Sequence, residues 1–232
     1  YGLNVAGGGT FTGGSGTHTI GSCNLQSSTT FTSGTTTIDS AFGGISLFMD
    51  TSISHGNGTV AFTSGADQKM GETGTDAPTR TFNNLTVNKS GGELTFVDSN
   101  PITCAVAGNL TITAGEFDTG PDDVALTVTG ATSVTGTLTC NASTVSLGSG
   151  KTDAFAVVVN SGGTFNGGSG THTYGSLNVN SSATLYAFSS GTTTLDGKSN
   201  TERIFSTSAT NKITAAGTLT IATAQTPVEI RC

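Results

Sequence analysis

Residues 8–22 read GGTFTGGSGTHTIGS and residues 162–176 read GGTFNGGSGTHTYGS. From Gly7 to Ser28 against Ser161 to Ser182, 16 of 22 positions are identical without a gap. Upstream, Leu3 and Val5 fall on Val157 and Val159; downstream, after a short insertion near Tyr186, SGTTTID at 33–39 meets SGTTTLD at 190–196. A phrase kept in order over 154 residues is not a linker, and an active-site loop is needed only once. Repetition of this kind points to stacked structural units.

A shorter period lies beneath the long one. LNVAGGGTF at 3–11, CNLQSSTTF at 23–31, LTVNKSGGELTF at 85–96, LTITAGEF at 110–117, LTVTGATSV at 126–134, VVVNSGGTF at 157–165 and LNVNSSATL at 177–185 share one pattern. Two apolar residues stand at i and i+2, a polar glycine-rich stretch follows, and another apolar residue closes the unit. Alternation sends the apolar side chains to one face and Asn, Thr and Ser to the other. So few inward residues cannot stabilise a hairpin alone, whereas stacking each unit on the next makes a continuous core.

Composition supports strands and turns. Gly (34), Thr (46) and Ser (26) make up nearly half of the 232 residues, but only 10% are charged and 34% are hydrophobic, unlike a disordered chain. Helix periodicity is absent. The spacing near 20 residues predicts an all-β fold, a single parallel β-solenoid (β-helix) over residues 1–232 with about ten rungs of three short strands each. Its long repeat occupies 1–154, with a partial second copy at 155–232. A β-sandwich is the competing fold. Two segments depart from the pattern: ADQKMGETGTDAPTR at 66–80, read as a loop excursion, and the shorter DGKSNTER at 196–203.

The phrases TFNNLTVNKSGGELTF (81–96), AGNLTITAGEFDTG (107–120) and LTVTGATSVTGTLT (126–139) resemble the degenerate repeats of right-handed β-helix regions in large bacterial surface proteins, filamentous adhesins and phage tail fibres. That resemblance implies a non-enzymatic, secreted or virion-associated fibre segment, often oligomeric. It transfers no catalytic motif to any position. Extracellular, cell-surface or virion localisation is the matching expectation, with self-association as homo-oligomer or filament and surface glycans as partners. A glycan-binding adhesin and a polysaccharide-degrading, tailspike-like β-helix are the alternatives. The second copy runs off the end, Tyr1 follows no signal peptide, and neither terminus reads as a cap. A section of a longer protein, its ends covered by neighbouring chain or another subunit, is therefore expected.

The net charge of −7 argues against nucleic acid or an anionic membrane surface as partner. No apolar run reaches the roughly 20 residues of a membrane span. Cys23, Cys104 and Cys140 stand two residues from apolar neighbours and read as buried thiols; Cys232 is the one placed to pair or react. No CxxC or His/Cys spacing suggests zinc, and no cofactor is expected.

The densest carboxylate group is Glu116, Asp118, Asp122 and Asp123 in GEFDTGPDD, with Glu116 and Asp118 flanking an inward Phe117. An acidic pair could serve glycoside hydrolysis or calcium. A solvated turn is the simpler reading, since no calcium-loop spacing is present. In the 66–80 excursion, Asp67, Lys69, Glu72, Asp76 and Arg80 are the contact candidates. His18 and His172 share one place in the two copies of THT and read as outward rung residues or small ladder contributors; His55 reads as a turn residue. Asn57, Asn84, Asn88, Asn109, Asn141 and Asn180 begin Asn-x-Ser/Thr sequons, which report exposure at best. Thr-x-Thr triplets recur throughout. Flat threonine ladders on a solenoid can order water against ice, but that requires one constant rung position, and the gaps between triplets are uneven. Threonine as a strand former is the simpler account.

Overall fold

The computed structural model describes all residues except 1, 27–28, 41–43, 50–54, 72–78, 98–102, 121, 151–154, 181–182, 184, 197–202, 207–216, 222–228 and 232. Over 185–187, 203–206, 221 and 229–231 it describes the strand backbone only. The described chain is strand, bend and turn, with no helix. Every strand pairing is parallel, which excludes the sandwich and shows a parallel β-solenoid.

Three faces recur in chain order. The first begins with Leu3–Val5, which pairs with Cys23–Leu25 and then Leu47–Met49. The third begins with His18–Ile20, which pairs with Thr35–Ile38 and then Thr59–Phe62. The second, lying between them along the chain, is a seven-stranded sheet from Arg80–Phe82 to Thr218–Ile221. In the first two turns its place is taken by a separate pair, Phe11–Thr12 with Thr29–Thr30.

Among the described residues the second-face sheet counts about seven turns, against the ten or so expected. The coil also rises more slowly in sequence than a fixed period of 20. Leu3 to its partner Cys23 is 20 residues, but Leu138 to Phe165 is 27, because corners accept insertions while strands keep register.

Inward side chains stack in ladders. Val87, Ile112, Val134, Val159 and Val179 stand one above another on the third face. Leu94, Phe117, Leu138 and Phe165 do so on the first, and Val106, Val128, Leu147, Tyr174 and Leu195 on the second. All of these are buried. Each burial contributes about 1.5–3 kcal/mol relative to exposure, and no single turn could sustain such a core alone. The recurring strand, turn and strand unit is a corner. LNVAGGGTF crosses from first to second face, LTVTGATSV from second to third, and LTVNKSGGELTF from third to first. That last phrase bends without breaking, as the single strand Asn84–Val97.

The two long copies are consequently out of phase by one face. Leu3–Val5 lies on the first face but its counterpart Val157–Val159 lies on the third. His18–Ile20 lies on the third and His172–Tyr174 on the second. The offset is six turns and two-thirds, since Val157–Val159 is the seventh strand of the third face. Local backbone is nonetheless reproduced. Gly8 and Gly162 both have φ 82, while Gly14 and Gly168 have 67 and 65. Thr32 Oγ1 donates to the Gly16 carbonyl and accepts the Gly34 N–H at 3.0 Å; Ser189 Oγ does the same with Gly170 and, at 3.0 Å, Gly191.

Candidate functional site

Outward positions of the first face carry the densest charge. Glu116 and Asp118 flank buried Phe117 on Leu110–Asp118, as their parity predicts. Glu93 stands beside Glu116 one turn earlier, and its N–H donates to Asp67 Oδ1 at 3.2 Å, so Asp67, Glu93 and Glu116 form a column of carboxylates. Thr139 Oγ1 donates to Glu116 Oε1 at 2.6 Å. Asp118 accepts the Gly120 N–H at 2.8 Å and the Asn141 amide.

Burial, then the neighbouring charges of Asp118, Asp67 and Glu116, push the Glu93 carboxyl above the usual range, against a smaller pull from Lys69. Burial is also the largest cause of the rise at Asp118; the Gly120 N–H opposes it, Glu116 adds to it and Asn141 opposes it. Such a column can hold a proton or gather cations. Asp122 and Asp123 lie apart from it, in the following corner, where Asp123 has φ 51 and accepts the Ala142 N–H at 2.9 Å. Among the described residues no three of His, Cys, Asp and Glu group to hold a metal ion. Glu93 was missed by sequence reasoning; the signal was its place before Leu94, matching Glu116 before Phe117, which only register makes visible.

The 66–80 excursion is shorter than expected. Gln68–Gly71 is a strand of the first face with Gln68 and Met70 buried, and Arg80 opens the next strand, 1% exposed. Alternation that places Gln68 and Met70 inward also leaves Lys69 partly exposed. Asp67 lies in the described corner, whereas Glu72 and Asp76 fall outside the described residues, as does most of 196–203. Arg80 is thus a core residue rather than a surface contact. Lys89 is likewise buried: Nζ donates to the carbonyls of Ser64 (2.9 Å) and Ala66 (2.7 Å) and to Gln68 Oε1 (3.1 Å).

His18 and His172 point inward, as ladder residues rather than outward ones. His172 is fully buried between Val145 and Thr193, its Nδ1 2.6 Å from the Tyr174 hydroxyl and its Nε2 without a partner. Burial lowers its pKa to about 4. His18, half-buried in the first turn, places Nε2 2.7 Å from the Gly13 carbonyl. One sequence position thus has two environments. His55 is a turn residue, accepting the Asn57 N–H at 3.0 Å.

Of the sequon asparagines, Asn57, Asn88 and Asn109 are exposed, and the other three partly so. Several act as corner pins: Asn84 Oδ1 accepts the Asn109 N–H, and Asn109 Oδ1 accepts the Ala131 N–H, each at 2.9 Å. Cys23, Cys104 and Cys140 are buried free thiols, as expected, and Cys232 falls outside the described residues. A groove of about 440 Å³ on the first face, lined by Asn4, Asn24, Gln26, Ile45 and Phe48 among others, had no signal in the spacing of motifs. No family model, curated protein or solved structure matches this chain.

Proposed function

We propose that the chain is a non-enzymatic structural segment, a stiff shaft or filament block of an extracellular, cell-surface or virion fibre that associates with copies of itself. The observation that carries this reading is the one-face phase shift between the two long copies. A catalytic constellation needs each side chain at a fixed place around the coil. Here the same phrase is accepted on different faces with its backbone intact and its histidine in two unlike environments. Sequence reused in that way supports building length, with core ladders and parallel pairing continuing from turn to turn. The resemblance to β-helix regions of surface proteins and tail fibres supports the same reading.

The test is imaging and hydrodynamics of the purified chain beside a polysaccharide depolymerisation screen. Rods or filaments without turnover are expected; hydrolysis abolished by Glu116→Gln or Asp118→Asn would overturn the reading. A glycan-binding adhesin is the second reading, favoured by the first-face groove, where the Phe48 ring stands beside the amides of Asn4, Asn24 and Gln26. Aromatic stacking with amide hydrogen bonds suits a neutral sugar. A glycan array with Phe48→Ala as control separates the two.

A further inference from the structure

The second face is a two-dimensional threonine array. Its outward positions in the last three strands are Thr171 and Thr173, Thr192 and Thr194, and Thr218 and Thr220. Thr192 pairs with Thr218, Thr194 with Thr220, and Thr173 with Thr194. Carrying the register back through Ser146, Thr127, Ala105 and Thr81 adds four strands, where the eight equivalent positions hold five threonines, two alanines and one serine. No ionisable side chain stands at any of these places. The triplets at 171–173, 192–194 and 218–220, unevenly spaced in sequence, align in space because the corners take up the difference.

Three independent properties make the array usable. It is regular, with no register shift in any of its six pairings, whereas the pairing of Asn84–Val97 with Leu110–Asp118 carries two. Among the described residues its threonine hydroxyls make no hydrogen bond, while Thr139 on the first face is committed to Glu116 and Thr95 to the Gly120 carbonyl. Its spacing is set by the backbone, at about 4.8 Å between strands and about 6.6 Å between outward residues of one strand. Inward, the same strands are locked by Val128, Leu147, Tyr174 and Leu195, so the hydroxyls and methyls are held on a rigid base.

We propose that this face binds a crystalline water surface, that is, ice. Hydroxyls repeating in two directions at spacings near those of oxygens in an ice plane can each take a place in the lattice. The methyl groups between them keep adjacent water from bonding in liquid-like disorder. A charged group would hold its own hydration shell and break the pattern; the array has none. The inference goes beyond the shaft reading and does not depend on it.

The chain is grown into a slowly advancing ice front and the fraction retained in the ice is measured, with crystal shape and recrystallisation followed in parallel. Thr173→Lys and Thr194→Lys test the array, Thr86→Lys and Thr111→Lys on the third face are controls, and urea midpoints check that all are folded. Retention of the parent and controls, with a loss of about tenfold or more in both array variants, is expected. Exclusion of the parent from ice, or equal loss in array and control variants, overturns the proposal. So does finding that the array instead buries against a second copy, seen as a dimer that Thr194→Lys dissociates in sedimentation, or against particulate cellulose or chitin without ice retention. None of these outcomes alters the imaging test of the shaft reading.

Discussion

Tyr174 and Ile20 occupy the same place in the two long copies, and the difference follows from burial of the adjacent histidine. In the first turn His18 reaches the Gly13 carbonyl with Nε2, so Ile20 need supply nothing polar. In the second copy His172 is enclosed, Nε2 has no partner, and the Tyr174 hydroxyl at 2.6 Å is the partner of Nδ1. Tyr174→Phe keeps the ring, which packs edge-on against Phe165 at 5.8 Å, and removes only the oxygen. Both ring nitrogens of His172 are then buried without partners, at a cost of about 1–3 kcal/mol. The double-mutant cycle isolates that term. Val145 fills the inward position one turn earlier, so His172→Val fits the ladder, and in its background Tyr174→Phe should cost less than about 0.5 kcal/mol. Urea unfolding followed by circular dichroism is the assay, with unchanged m values showing that the unfolding unit is the same. Equal cost of Tyr174→Phe in both backgrounds would refute the reasoning.

Four further outcomes are expected. Burial holds His172 at about 4 against 6.5 for the free side chain, so the unfolded chain binds the extra proton between those values; the stability this group contributes is full above pH 6.5 and is lost as pH falls toward 4, by up to about 3 kcal/mol, a slope that His172→Val removes in pH-dependent urea titrations. Gly14→Ala and Gly168→Ala meet the same left-handed backbone, about 1–2 kcal/mol each, but an added Cβ meets nothing at Gly14 and the Asn141 carbonyl oxygen at 1.9 Å at Gly168, so thermal melts should show the second variant far less stable. Lys89→Met strands the acceptors of Ser64, Ala66 and Gln68 and should lower stability by about 3 kcal/mol, with hydrogen exchange rising first at that corner. Burial pushes the Cys23 and Cys104 thiols up to about 12 and that of Cys140 up as well, so a thiol reagent should label these three only on unfolding.

Much of the candidate surface was legible residue by residue. Phe117 inward with Glu116 and Asp118 outward follows from strand parity, as does burial of three cysteines. Parity fails where a polar residue points inward: Gln68, Lys89 and Arg80 look like loop or surface residues, and Gln68 and Lys89 find partners in other turns, those of Lys89 21 to 25 positions away. The Glu93 column and the threonine array share a different difficulty, being defined across strands by register that corner insertions conceal.

The sequence by itself determined the class of structure. Apolar residues at i and i+2, closed by glycine-rich corners and repeated, leave stacking as the way to bury so few side chains per strand, whichever face each unit occupies. Which face a unit occupies was decided only in three dimensions. The phrase at 8–22 and its copy at 162–176 carry the same local instructions, equal φ at their glycines and the same corner hydrogen bonds, yet lie one face apart. Corner lengths between them accumulate to six turns and two-thirds, and the phase of a coil is a sum over everything preceding it. That sum buries His172, stacks Glu93 on Glu116 and brings threonines from seven strands onto a single face.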